Sequence, residues 1–218
     1  MNLSQDAAMQ PSFERLALKL GLELPDRLAA LIALAQSGND LRFSPYDLLW
    51  LSPQEAEREI DEWLNPTDQP GRTFLPFATN GSGEPYCFVR LENGAMGIAQ
   101  ALHYGQATSL AYTDASPWIT SHYVRLAADL SPLPMQAQDG TALVKEVHSL
   151  HSALLPADHA LLTELFSRPC VTMAFQDGPK SRPRTVNAFI SREEERSLLD
   201  RLELPDPIEF AVLRDWMR

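Results

Sequence analysis

The sequence predicts an α+β fold: an antiparallel sheet flanked by helices, followed by a C-terminal α+β extension. Three observations carry this. Amphipathic helical stretches open the chain, period-two apolar runs separated by Gly-rich turns occupy its middle, and helix and strand patterns resume after residue 140. At 218 residues, 44% hydrophobic and 22% charged, the chain is long enough to bury a substantial core. The pattern divides it into a first unit over residues 12–135 and an extension or second small domain over 141–218.

The first helix runs from Ser12 to Leu20, with Phe13, Leu16 and Leu20 on one face and Gly21 as its stop. Leu24-Pro25-Asp26 opens a second, whose stripe is Leu28, Leu31, Ile32 and Ala35, ended by Gly38. Leu41 to Leu51 mixes Phe43, Tyr46, Leu48, Leu49 and Trp50 and reads as a buried strand or extended stretch; Pro45 places it at an edge or a bulge. Ser52-Pro53-Gln54-Glu55 is a capping box, and the helix it opens buries Ala56, Ile60, Trp63 and Leu64. A polar loop from Asn65 to Arg72 leads to a strand over Thr73 to Ala78.

The turn Asn80-Gly81-Ser82-Gly83 joins that strand to a second, Pro85 to Leu91. There Tyr86, Phe88 and Arg90 alternate with Cys87, Val89 and Leu91. Asn93-Gly94 is a strong hairpin signal and precedes another apolar run to Leu102, so the middle of the chain is an antiparallel meander. Ser116-Pro117 starts a helix through Leu130, with Trp118, Ile119, Val124, Leu126 and Leu130 apolar, that Ser131-Pro132-Leu133-Pro134 ends, and Met135 to Gly140 reads as a linker.

Beyond it come an apolar helix around Ala157 to Phe166, a strand over Cys170 to Phe175, a polar turn over Asp177 to Arg184 and a strand over Thr185 to Ile190. Ser191-Arg192-Glu193-Glu194 is a second capping box, leading to Leu198, Leu199 and Leu202. At the end, Asp206-Pro207-Ile208-Glu209 can cap a helix carrying Phe210, Leu213, Trp216 and Met217, while Ile208 to Leu213 fits a strand equally; the helix is the reading taken.

Composition narrows the function. No run of eighteen apolar residues and no basic, apolar leader occurs, which places the protein in the cytoplasm. Cys87 and Cys170 both fall in apolar strand-like segments and read as buried small hydrophobes in a reducing compartment. Eighteen basic against twenty-nine acidic residues give a net charge of −11, which opposes nucleic-acid binding and favours encounter with a basic protein.

Chemistry-bearing residues are sparse. His148 and His151 share a face if their segment is helical, and His159 lies nearby, but no clear third metal ligand accompanies them. Gly81-Ser82-Gly83 belongs to a hairpin, so it is neither a nucleophile elbow nor a phosphate cradle. The acids Glu55, Glu57, Glu59, Asp61 and Glu62, and the triplet Glu193 to Glu195, read as solvated helix faces. Lys180, Arg182 and Arg184 form a small basic patch. No catalytic residue, metal site or cofactor is assigned.

The run Phe74-Leu75-Pro76-Phe77-Ala78-Thr79-Asn80-Gly81-Ser82-Gly83-Glu84-Pro85-Tyr86-Cys87-Phe88 resembles the signature of the SUKH superfamily: a strand ending in proline-aromatic-alanine, a Gly-Ser-Gly-acidic turn and a returning strand. Glu84 stands where that family usually has aspartate, and Ser37-Gly38-Asn39-Asp40 where it commonly has Asn-Gly-Gly. The order of the other elements over about residues 12–130 is similar. The resemblance implies a non-catalytic binding protein, an immunity protein that neutralises a toxin, such as a basic nuclease, by direct contact; Glu84, read as projecting near the turn, is the residue assigned to meet the partner. The family's eukaryotic members, regulators of yeast cell-wall assembly, imply the alternative of a scaffold or regulatory protein. A third reading, from the residues themselves, is an enzyme whose site lies in the C-terminal part around His148, His151, Arg182 and Arg184.

Overall fold

In a computed structural model the described residues are 12–37, 48–102, 107–133, 138, 140–176 and 180–212. The fold is α+β. A six-stranded antiparallel sheet has the order β1-β2-β3-β4-β5-β8, and a two-stranded sheet pairs β6 with β7. The strands are β1 (Leu49–Trp50), β2 (Thr73–Thr79), β3 (Pro85–Arg90), β4 (Met96–Gln100), β5 (Ala107–Tyr112), β6 (Val171–Phe175), β7 (Arg184–Ala188) and β8 (Ile208–Ala211). The α-helices are α1 (Phe13–Lys19), α2 (Asp26–Gln36), α3 (Pro53–Glu59), α4 (Ala115–Ala128), α5 (Thr141–Ser149), α6 (Pro156–Ser167) and α7 (Arg192–Leu202).

The meander forms because its residues alternate between two apolar faces. Leu75, Phe77, Phe88 and Ile98 point into the main core with Trp118 and Ile119 of α4, whereas Phe74, Cys87, Val89, Ala99 and Leu110 face a second core with Leu64 and Val212. Phe74 and Phe77 are both fully buried, on opposite faces, as an odd sequence separation in a strand requires. A register shift between Pro76 and Ala78 turns Ala78 to the same core as Phe77. Both hairpin turns use glycine at positive φ, +80° at Gly83 and +82° at Gly94.

The capping box at Ser52 is complete: its hydroxyl accepts from Glu55 N, and Glu55 accepts from Ser52 N at 2.7 Å. Past α3 the helix widens into a π-helical turn over Ile60–Leu64, closed by the Trp63 indole donating to Glu59 at 2.8 Å. At Ser191 only half the expected box forms. Ser191 Oγ accepts from Glu194 N at 3.1 Å, but the Glu194 carboxylate receives Arg168 Nη1 at 2.7 Å, and an ionised guanidinium out-competes a neutral amide.

The reading of a last helix from Asp206 is corrected. Ile208–Ala211 is a strand, β8, paired antiparallel with β5 from Ala107↔Ala211 to Leu110↔Ile208. The β5 edge would otherwise leave its backbone donors and acceptors without a ladder, and Phe210 packs on Phe74 across the second core at 6.1 Å. The positions Leu213, Trp216 and Met217, the stretch 38–47 and most of the linker lie outside the described residues. Strand β5 and helix α5 were not singled out by the pattern.

Helix α4 is the hub. Asp114 caps it, accepting from Ser116 N at 2.9 Å, and also pairs with Arg27 of α2 at 3.1 Å. Ser116 Oγ donates to Asp158 of α6 at 2.5 Å and accepts from Leu155 N at 2.7 Å. The buried Tyr123 hydroxyl donates to Glu146 of α5. Beyond the last turn, Phe189 N donates to Ala127 O at 2.7 Å and Leu130 N to Asn187 O at 2.9 Å, which fastens β7 to the helix end.

At Gly97 the strands approach so closely that a Cβ would stand 2.1 Å from Tyr112 O and 2.9 Å from Leu110 Cδ2. Gly97→Ala is therefore expected to force β4 from β5 and cost about 1–3 kcal/mol, the usual scale of overpacking, read as a lowered urea midpoint with an unchanged slope.

Candidate functional site

Between α4, strands β3 to β5, α7 and the β6–β7 hairpin the described residues enclose a cleft of about 690 Å³. Trp118, His122, Arg125 and Asp129 all line it. They recur at four, three and four residues, so one helical stripe faces the cleft. Gln100, Ser109, Tyr112 and Tyr86 enter from the sheet, and Arg184, Arg192, Glu195 and Glu203 from the C-terminal segment.

Its floor is aromatic. The His122 ring lies 5.0 Å from Trp118 and 5.4 Å from Tyr86, at interplanar angles of 72° and 83°, and Tyr86 meets Trp118 at 5.4 Å. Edge-to-face packing of this kind suits the ring quadrupoles. Burial among these rings, reinforced by the Arg125 charge, lowers the His122 pKa to about 3, so the imidazole is neutral at physiological pH.

Its rim is charged but balanced. Arg125 pairs with Glu203 at 3.4 Å, and Tyr112 donates to the same carboxylate at 2.9 Å. Asp129 receives Arg184 at 2.7 Å and stands 3.6 Å from Arg192, which also reaches Glu195 at 2.6 Å. Both guanidiniums lie over the Phe175 ring, 4.5 and 4.0 Å from its centroid. Burial works against the Asp129 charge, but hydrogen bonds from Ser131 and Arg184 outweigh it and hold the carboxyl below its ordinary range. Tyr112 shifts the other way, raised chiefly by burial.

The residues singled out from sequence lie elsewhere, with one exception. Glu84 does not project from the turn: it is only 7% exposed, packed under a loop in which Asn80 Oδ1 accepts from Ser82 N and Glu84 N at 3.0 and 2.8 Å. His148 Nδ1 lies 3.4 Å from His159 Nε2, while His151 Nδ1 sits against the His148 carbonyl at 3.3 Å. Among the described residues no group of three metal-binding side chains forms. Lys180 and Arg182 are exposed and away from the cleft; Arg184, the exception, is part of its rim. His148 and His151, with which the enzymatic reading grouped Arg184, are not among the residues lining the cleft. Cys87 and Cys170 are free thiols, and burial pushes both upward in pKa. No described helix is long and apolar enough to cross a membrane.

Sequence reasoning read α4 for its apolar residues and passed over the stripe of Trp118, His122, Arg125 and Asp129. The spacing was a usable signal. The residues facing it across the cleft come from remote segments, and no local pattern announces them. In comparison with known proteins, no family model, curated protein or solved structure matches the chain.

The depressed His122 pKa has a pH consequence. Between about 6.5 and about 3 the unfolded chain binds a proton at this residue and the folded chain does not. Its contribution to stability is full above pH 6.5 and is lost as pH falls through that window. His122→Phe, which keeps the ring packing, is expected to flatten the acid limb of the stability curve, so that the wild-type loss between pH 7 and 4 exceeds the variant's by on the order of 1–3 kcal/mol in urea titrations.

Proposed function

We propose that this protein is a non-catalytic binding module of the SUKH type, an immunity protein that acts in the cytoplasm by occluding a basic toxin. The observation that carries the reading is the Phe74–Phe88 run. It resembles that family's signature, and it occupies β2, its turn and β3 near the middle of the six-stranded sheet.

Charge supports the same reading. A net charge of −11 raises the encounter rate with a basic partner, and enzymes that grip phosphate are basic. Glu55, Asp61 and Glu62, along α3 and the π-helical turn, are exposed, with Glu57 and Glu59 half-buried beside them. The burial of Glu84 leaves this acidic ridge as the better place for a partner's lysines and arginines.

The test is direct. The basic product of the gene adjacent to this one is expressed with and without this protein, and the purified pair is mixed in a calorimeter at low and at physiological salt. The expected outcome is rescue of host growth and a saturable one-to-one complex. The triple charge reversal Glu55→Lys, Asp61→Lys, Glu62→Lys should slow association by about tenfold or more at low salt and less at high salt. Neither rescue nor complex, or a complex indifferent to the reversal, speaks against this reading of the partner surface.

A further inference from the structure

The cleft beneath α4 plays no part in the toxin-binding reading. Its volume of about 690 Å³ falls within the ordinary range for small-molecule sites, roughly 300–1,000 Å³. Its polar groups also specify a chemistry. The His122 ring nitrogens make no hydrogen bond to another described residue, yet they are not among the side-chain atoms sealed from solvent without a partner. A neutral imidazole offers one donor and one acceptor. Ser109, on β5 opposite, adds a hydroxyl that can do either.

Charge argues for what does not bind. Arg125, Arg184 and Arg192 each face a carboxylate, and Asp129, Glu195 and Glu203 each face a guanidinium. Three positive and three negative side chains therefore cancel around the cleft, and no lining charge is left for an ionic ligand. A charged molecule would lose its hydration there without a counter-charge, which is costly in a partly enclosed site. The wall of Tyr86 and His122, backed by the buried Trp118, favours a flat ring, which can extend the edge-to-face cluster.

We propose that the cleft between α4, the sheet and α7 is a binding site for an uncharged, planar heterocycle with an amide edge, an N–H beside a C=O, which pairs with His122 and packs on Tyr86. The rim pairs surround the ring as a neutral collar. This site is independent of the toxin reading, which stands or falls on a protein complex.

Uracil is the probe, with orotate as the same ring bearing a carboxylate and toluene as a ring with no amide edge. Nitrogen NMR of the full chain follows the histidine ring nitrogens and the tryptophan indole N–H groups. Uracil is expected to shift His122 and Trp118 saturably; orotate should bind at least about tenfold more weakly, equal to about 1.4 kcal/mol, and toluene should leave the His122 nitrogens unmoved. His122→Phe keeps the aromatic wall and should weaken uracil binding by a similar factor. Ser109→Ala, at a smaller side chain, is the second variant and should weaken it severalfold, with circular dichroism confirming that each variant is folded. The proposal is overturned if uracil produces no saturable shift up to its solubility limit, if orotate binds as well as uracil, or if folded variants at both positions bind uracil unchanged.

Discussion

The indole of Trp118 meets Phe77 of β2 edge-on at 5.0 Å, Trp50 of β1 at 6.1 Å, Tyr86 of β3 at 5.4 Å and His122 one turn along its own helix at 5.0 Å. It is 1% exposed, and it sets how α4 sits on the sheet. Close-packed among these four rings, the indole can move only if they move, so it holds the helix to one position over β1 to β3. Beside that contact, bordered by α4, strands β3 to β5 and α7, lies the cleft. Truncating such a side chain costs a few kcal/mol elsewhere; here it would also remove the support behind the Tyr86 and His122 wall of the candidate site.

From this anchor the other attachments follow in order along α4. Its first turn is tied to α2 through Asp114 and to α6 through Ser116, its middle to α5 through Tyr123, and its end to β7 through Ala127. Each is a buried or half-buried polar group that burial would penalise had it no partner, so each fixes a neighbouring element rather than merely touching it. The backbone groups at the helix end hold the β6–β7 hairpin in place, and that hairpin brings Arg184 to Asp129 and sets Phe175 against both Arg184 and the Arg192 of α7. The neutral collar of the cleft is thus a consequence of how α4 is fastened.

The sheet has its own dependence. Two apolar faces mean two cores, and the second is closed by Phe210 and Val212 with Trp63 and Leu64. Strand β8 satisfies the backbone edge of β5, so residues near the C-terminal end complete a sheet whose other members lie before residue 113. This is where the sequence reading failed. Phe210 fits the face of a helix as well as that of a strand, and only the open edge of β5 decides between them.

The periodicities of Phe74 to Leu91, the Gly83 and Gly94 turns, the capping serines and the apolar stripes of α1, α2, α4, α6 and α7 were all legible, because each depends on residues within a few positions of one another. So were the net charge and the fold class. The position of Glu84 was not, since its burial depends on how the β2–β3 turn packs. Nor was the cleft: α4 displays its stripe locally, but Ser109, Arg184, Arg192, Glu195 and Glu203 reach it from separate segments. Local sequence determined which elements form and which of their faces are apolar. The pairing of β8 with β5, the neutrality of His122 and the matching of three guanidiniums with three carboxylates were decided by tertiary structure alone, because burial and charge compensation belong to groups that the chain brings together only on folding.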